Sequence, residues 1–120
     1  MAKIIKDTLG VWIIELRCAR SGGRYIPETG TEQQWTVKDA ILQLNPGAIV
    51  RVMRLDPTTF AVEDVTLDAS IIIAEYLHDV SPMIWSSDLI DFACKTHIGL
   101  GIMRDASRLW RSYEDYGVEI

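Results

Sequence analysis

No catalytic signature appears in this chain: it has no Gly-x-Ser-x-Gly elbow, no P-loop, no Rossmann glycine pattern and no His-Glu-x-x-His. Enzymatic function therefore has no motif behind it, and no cofactor or metal is implied. No apolar run approaches the roughly 20 residues that span a bilayer, so no membrane association is expected. The opening "MAKIIKDTLGVW" lacks a long apolar core and a small-residue cleavage site, which points to a cytoplasmic protein. Cysteine is scarce. Cys18 and Cys94 lie far apart and read as free, buried thiols of a reducing compartment. Lysine and arginine are missing altogether between Glu63 and Asp91, a stretch that carries seven acids.

What is present is an ordinary globular composition. With 120 residues, 48% hydrophobic and 24% charged, the chain suits one domain, residues 1–120, able to bury its own core. The net charge of −5 is unevenly spread. Residues 1–60 carry eight bases and six acids, whereas residues 61–120 carry four and eleven. An acidic total of this kind argues against broad, nonspecific DNA binding, which depends on neutralising phosphates.

Hydrophobic periodicity gives the elements. In "GVWIIELRC", Trp12, Ile14, Leu16 and Cys18 alternate with Val11, Ile13, Glu15 and Arg17, the period of a strand. "TVKDAILQL" (36–44) reads as a helix capped by Thr36, with Val37, Ala40, Ile41 and Leu44 on one face. "AIVRVMRL" and "FAVEDVT" flank a turn signal at Asp56-Pro57-Thr58-Thr59 and predict a hairpin. Pairing Leu55 with Phe60 would set Arg51 opposite Asp64, worth about 0.2–1 kcal/mol. "TLDASIIIAEYLHDV" (66–80) predicts a largely buried helix capped by Thr66 or Asp68, with Asp68, Glu75 and Asp79 on a narrow stripe around Ile72. A further helix is expected from Ser87-Asp88 through His97. Gly99 and Gly101 then break the pattern before a last helix over 102–116, capped by Gly117. The order β-α-β-β-α-α-α predicts an α+β fold: a small mixed three-stranded sheet with a parallel β-α-β unit, helices packed on it and a helical C-terminal half.

Candidate sites follow from charge. Glu63, Asp68, Glu75, Asp79, Asp88 and Asp91, with no base among them, would attract a basic protein partner if they converged on one face. The polar stretch 19–34 predicts an exposed hairpin or flap turned at Ser21-Gly22-Gly23, with Arg20, Arg24 and Tyr25 available to a partner or an anion. Arg104, Arg108 and Arg111 line one side of the last helix and suit phosphate contacts, although Asp105 and Asp115 stand at ion-pairing spacing. Cys94 and His97 have Cys-x-x-His spacing. With Cys18 and His78 they supply four possible ligands, in a spacing that matches no usual zinc pattern. The leading expectation is a non-enzymatic protein-binding regulator, inhibitor or immunity-type factor acting through an acidic face. The first alternative is nucleic-acid binding by the arginine stripe, and the second is a small enzyme or metalloprotein at Cys94 and His97. Four tryptophans and an aromatic C-terminal helix also allow a homodimer.

Overall fold

The computed structural model describes residues 9–17, 21–26, 35–43, 48–80, 82 and 85–115, the side chains of Tyr25 and of 110–115 excepted. The fold is α+β. Its elements are β1 (Leu9–Arg17), β2 (Arg24–Tyr25), β3 (Trp35–Thr36), α1 (Val37–Gln43), β4 (Ala48–Leu55), β5 (Val62–Asp64), α2 (Thr66–His78), α3 (Ser87–Ala93) and α4 (His97–Asp115). The sheet runs β2-β1-β4-β5, with β3 also paired to β1. Among the described residues no helix is long and apolar enough to cross a membrane.

Every described strand pair is antiparallel, which corrects the mixed three-stranded sheet and its parallel pairing of the first two long strands. The reason lies in the polar stretch. Ser21-Gly22-Gly23 reverses the chain, with Gly22 at φ +70°, so that Arg24 faces Arg17 and Tyr25 faces Leu16. Trp35 and Thr36 pair at the other end of β1, with Gly10 and Leu9. The chain has thus reversed before α1 begins, and α1 connects β3 to β4, both of them antiparallel to β1. The parallel unit expected of β1, α1 and β4 is therefore not formed: β4 runs antiparallel to β1.

The β4–β5 hairpin differs from its expected register by two residues. Leu55 pairs with Val62, Arg54 with Glu63 and Met53 with Asp64. The turn is longer than the Pro-Thr signal implies because Asp56 organises it: its Oδ1 accepts the N–H groups of Thr58 (2.8 Å) and Thr59 (3.3 Å), and its carbonyl accepts that of Phe60 (2.7 Å). These bonds hold the Asp56 carboxyl below its ordinary pKa. They also place Phe60 at φ +61°, in the left-handed region, with its ring three-quarters exposed. Arg51 therefore does not face Asp64 across the hairpin; its partner lies on β1.

Trp12, Ile14 and Leu16 of β1 and Ile49 and Val52 of β4 form the sheet side of the core. Val37 and Ile41 of α1, Ile73 and Leu77 of α2, and Leu89 and Phe92 of α3 cover that face. α4 packs on α2 and α3 as an outer layer, with Met103 and Ala106 buried. Thr36 Oγ1 accepts the Asp39 N–H at 3.2 Å, as its position before α1 predicts. α2 is capped differently from expectation. Its N-cap residue is Val65, whose side chain cannot cap, while Asp64 Oδ1 accepts the Thr66 N–H at 2.9 Å and Thr66 Oγ1 accepts the N–H of Val52.

The last two helices also depart from the pattern. α3 ends at Ala93, and α4 begins at His97 and runs through both glycines. Thr96 makes this early start favourable by accepting the Gly99 N–H at 2.9 Å, the bond of an N-cap residue. The expected cap at Gly117 lies outside the described residues.

Candidate functional site

The acids of the chain's second half are distributed over separate depressions. Glu75 and Asp79 project from the C-terminal half of α2 into a notch shared with Thr36, Lys38 and Asp39 at the start of α1, and floored by Ile72 and Tyr76. Asp88 and Asp91 lie beside Arg17 and Lys95, where α3 meets the beginning of β4. Asp68 shares a third depression with Arg51, Asp64 and Leu67. Glu63 stands opposite Arg54 in the β4–β5 ladder. Asp64 serves the fold, and its bonds to the Thr66 hydroxyl and N–H lower its pKa.

These groupings differ in charge. Asp88 and Asp91 are matched by two cations, Arg17 and Lys95. The α1–α2 notch holds three carboxylates, Asp39, Glu75 and Asp79, against a single ammonium, Lys38. That ammonium is already engaged, 3.8 Å from Asp39 and 5.2 Å above the Tyr76 ring. The notch thus keeps an excess of negative charge beside an aromatic ring that Lys38 already covers.

Next to it, the end of α2 is tied to α4. His78 Nε2 lies 2.8 Å from Asp105 Oδ2, and Arg108 lies 2.8 Å from the other oxygen, Oδ1, of the same carboxylate. His78 Nδ1 is 3.3 Å from Asp79. Asp105 first, and Asp79 second, hold the imidazole above its ordinary pKa of 6.5, outweighing burial. Asp105 is lowered in turn by His78 and then Arg108. Because the folded pKa of His78 exceeds the unfolded one, its contribution to stability is complete below about pH 6.5 and is lost as pH rises through the folded value. The Asp105 contribution is lost in the opposite direction, as pH falls below 3.8 and through its lowered folded value. Melting temperature is therefore expected to decline as pH rises above 6.5, and His78→Gln is expected to flatten that part of the profile. An identical slope in the variant would show that His78 does not carry the dependence.

The sequence-derived arginine stripe is partly engaged. Arg108 pairs with Asp105, as the spacing predicts, while Arg104 has no ion pair or hydrogen bond among the described residues. Arg104 and Arg108 border a groove between α3 and α4 whose walls include Trp85, Ile90, Cys94 and Met103. Lys95, close to the stripe in sequence, lies with Asp88 and Asp91. The side chain of Arg111 lies outside the described residues.

Cys94 and His97 do not share a helix. Cys94 is the C-cap residue of α3 and His97 opens α4, so the expected common helix side does not exist. The Cys94 thiol is pushed up by burial and by Asp91, with Arg104 opposing, which disfavours the thiolate a nucleophile needs. Among the described residues no three His, Cys, Asp or Glu side chains gather as a metal site; Cys18 lies outside them.

The flap residues have a structural use. The Arg24 guanidinium is 3.6 Å from Glu15 Oε1, and Arg51 approaches Glu15 Oε2 with Nη2 at 2.9 Å and Nε at 3.1 Å. Glu15 is buried, and its cross-strand partner in the ladder is Arg51. This triad was hidden in the sequence; its one signal is a carboxylate in the middle of an otherwise apolar strand. Ser21, Gly22, Gly23 and Arg24 are exposed, as a flap requires. Arg20 and the side chain of Tyr25 lie outside the described residues. No protein family, curated protein or solved structure matches the chain.

Proposed function

We infer that this is a non-enzymatic binding protein, and that its partner is a protein which presents a basic side chain to the α1–α2 notch. One observation carries this reading: Asp39, Glu75 and Asp79 meet around Tyr76, with Lys38 the one cation among the described residues that line the notch and His78 beside Asp79 at its edge. A partner lysine or arginine entering there meets the carboxylates of Glu75 and Asp79, while Lys38 keeps its place over the Tyr76 ring. Such a role is that of a regulator, inhibitor or immunity-type factor, whose effect comes from occupying a partner's surface.

Carboxylates on a wet helix edge steer encounter more than they hold a complex. Reversing them should therefore be felt by the partner without unfolding the protein, since Glu75 and Asp79 are both exposed. The test is affinity capture from the native cell with the wild-type protein and with Glu75→Lys/Asp79→Lys in parallel, each with and without nuclease. The expected result is a protein retained by the wild type in both nuclease conditions and missing from the variant. Retention that vanishes with nuclease would instead favour the arginines of α4 and a nucleic-acid partner.

A further inference from the structure

The outer edge of the sheet is β5, a strand of three exposed residues. Its hydrogen-bond phase follows from the bonds on either side of it. The Asp56 N–H donates to the Ala61 carbonyl at 2.9 Å, and the Val65 N–H donates to the Val52 carbonyl at 2.9 Å. In an antiparallel ladder bonded residues alternate, so Ala61, Glu63 and Val65 turn their backbone groups toward β4. Val62 and Asp64 turn theirs outward, each with one donor and one acceptor.

The side chains at this edge continue an existing surface. Val62 lies beside Leu55 and Val11, and Asp64 beside Met53 and Ile13, on the face of the sheet opposite the helices. Phe60 is 75% exposed, Val62 49% and Leu67 61%, so three exposed apolar groups stand on or next to the open edge. Phe60 moreover holds a left-handed conformation that disfavours a bulky side chain, and its ring gains little burial in return.

Charge selects the occupant. Asp56, Glu63, Asp64 and Asp68 stand along or beside the edge, four carboxylates against the two guanidinium groups of Arg51 and Arg54 on β4. A second copy pairing antiparallel about Glu63 or about Asp64 would set that carboxylate against its own counterpart, and like charges directly opposite destabilise a ladder, while a register centred on Val62 would need Phe60, which is not extended, opposite Asp64. We propose that the edge of β5 is a strand-addition site for an extended segment of a partner protein in which apolar and basic residues alternate. Backbone bonds to Val62 and Asp64 fix the register, apolar side chains extend the row of Val62 and Leu55, and basic ones, on the other face, meet Glu63. The site uses residues distinct from those of the α1–α2 notch and stands or falls separately from it.

The experiment is an NMR titration of the full, 15N-labelled chain with two capped hexapeptides, one of alternating lysine and valine and one of alternating glutamate and valine. With the lysine peptide, the amides of Val62 and Asp64 are expected to shift most and to exchange more slowly with solvent, while those of Glu75 and Asp79 stay in place. The glutamate peptide should bind at least tenfold more weakly. Val62→Pro removes an outward donor and leaves the bonds to β4 intact, so it should reduce lysine-peptide affinity at least tenfold. As a control independent of that variant's folding, the lysine peptide N-methylated at alternate residues should lose binding to the wild-type chain. Equal binding of both peptides, unchanged affinity of Val62→Pro or of the methylated peptide, or no shift at millimolar peptide would overturn the proposal. So would shifts centred on Glu75 and Asp79, an outcome that would at the same time support the notch.

Discussion

Gly99→Ala is expected to destabilise the protein by about 3 kcal/mol, the upper end of the usual range for overpacking, and to lower its melting temperature by about 10 °C. A Cβ at residue 99 would sit well inside contact distance of the Ala93 carbonyl oxygen, and near the carbonyl carbon as well. Those are backbone atoms at the last residue of α3, and they cannot rotate aside as a side-chain end would. Relief requires α4 to move away from α3, which opens the packing around Met103 and Phe92. Gly101, two residues on, is the internal control. Nothing lies within 4 Å of a Cβ there, so Gly101→Ala should be neutral or stabilising by up to about 1 kcal/mol through helix propensity. Thermal or chemical denaturation of the two variants separates close packing from a general intolerance of α4 to alanine.

Ser70→Ala is expected to cost about 1–3 kcal/mol, because it strips a hydrogen bond from a fully buried place. The Ser70 hydroxyl donates to the Phe92 carbonyl at 2.8 Å and lies 3.2 Å from that of Ala93. It thereby fastens the end of α3 to α2, and its longer contact is with the Ala93 carbonyl that Gly99 also approaches. Three helices meet at Ala93. Because both substitutions act on that one peptide group, their effects should not add, and a double-mutant cycle should give a coupling of about 0.5 kcal/mol or more. Simple additivity would mean that Ser70 and Gly99 do not act on Ala93 together.

Much of this architecture is written locally. The alternation of Trp12, Ile14 and Leu16 fixes both the strand and its buried face. Thr36 and the face of Val37, Ala40 and Ile41 fix α1. Residues 66–78 carry enough apolar character around the helix to require burial on several sides, and α2 is buried against the sheet, α3 and α4. What escaped is what depends on distant partners. β2 and β3 are two residues long each, too short for a period of two to register, yet they reverse the chain and decide the direction of every ladder with β1. Gly99 looks like a helix breaker because the backbone of α3, the reason for a glycine there, is invisible in one dimension.

The candidate site divides in the same way. Glu75 and Asp79 share one helix side at i, i+4 spacing, and the structure keeps them together. That Lys38, Asp39 and Tyr76 complete the notch depends on α1 packing against α2. His78 and Asp105 are 27 residues apart, and Glu15 meets Arg51 across 36, so neither pairing has a local signature. The acids read as one face are split by tertiary structure because α2 carries Asp68 and Asp79 near opposite ends, while α3 places Asp88 and Asp91 by the first residues of β4. Charge counted along a chain records supply; which carboxylates remain in excess is decided by the cations that folding brings beside them.

The partner captured by the wild-type chain allows the most direct measurement, its association rate by stopped flow as a function of ionic strength. Docking through the α1–α2 notch predicts a rate that falls steeply with added salt, and a value at low salt at least tenfold lower for Glu75→Lys/Asp79→Lys. The two proteins' rates should then converge as screening grows. Equal association rates for wild type and variant at low salt would contradict the account.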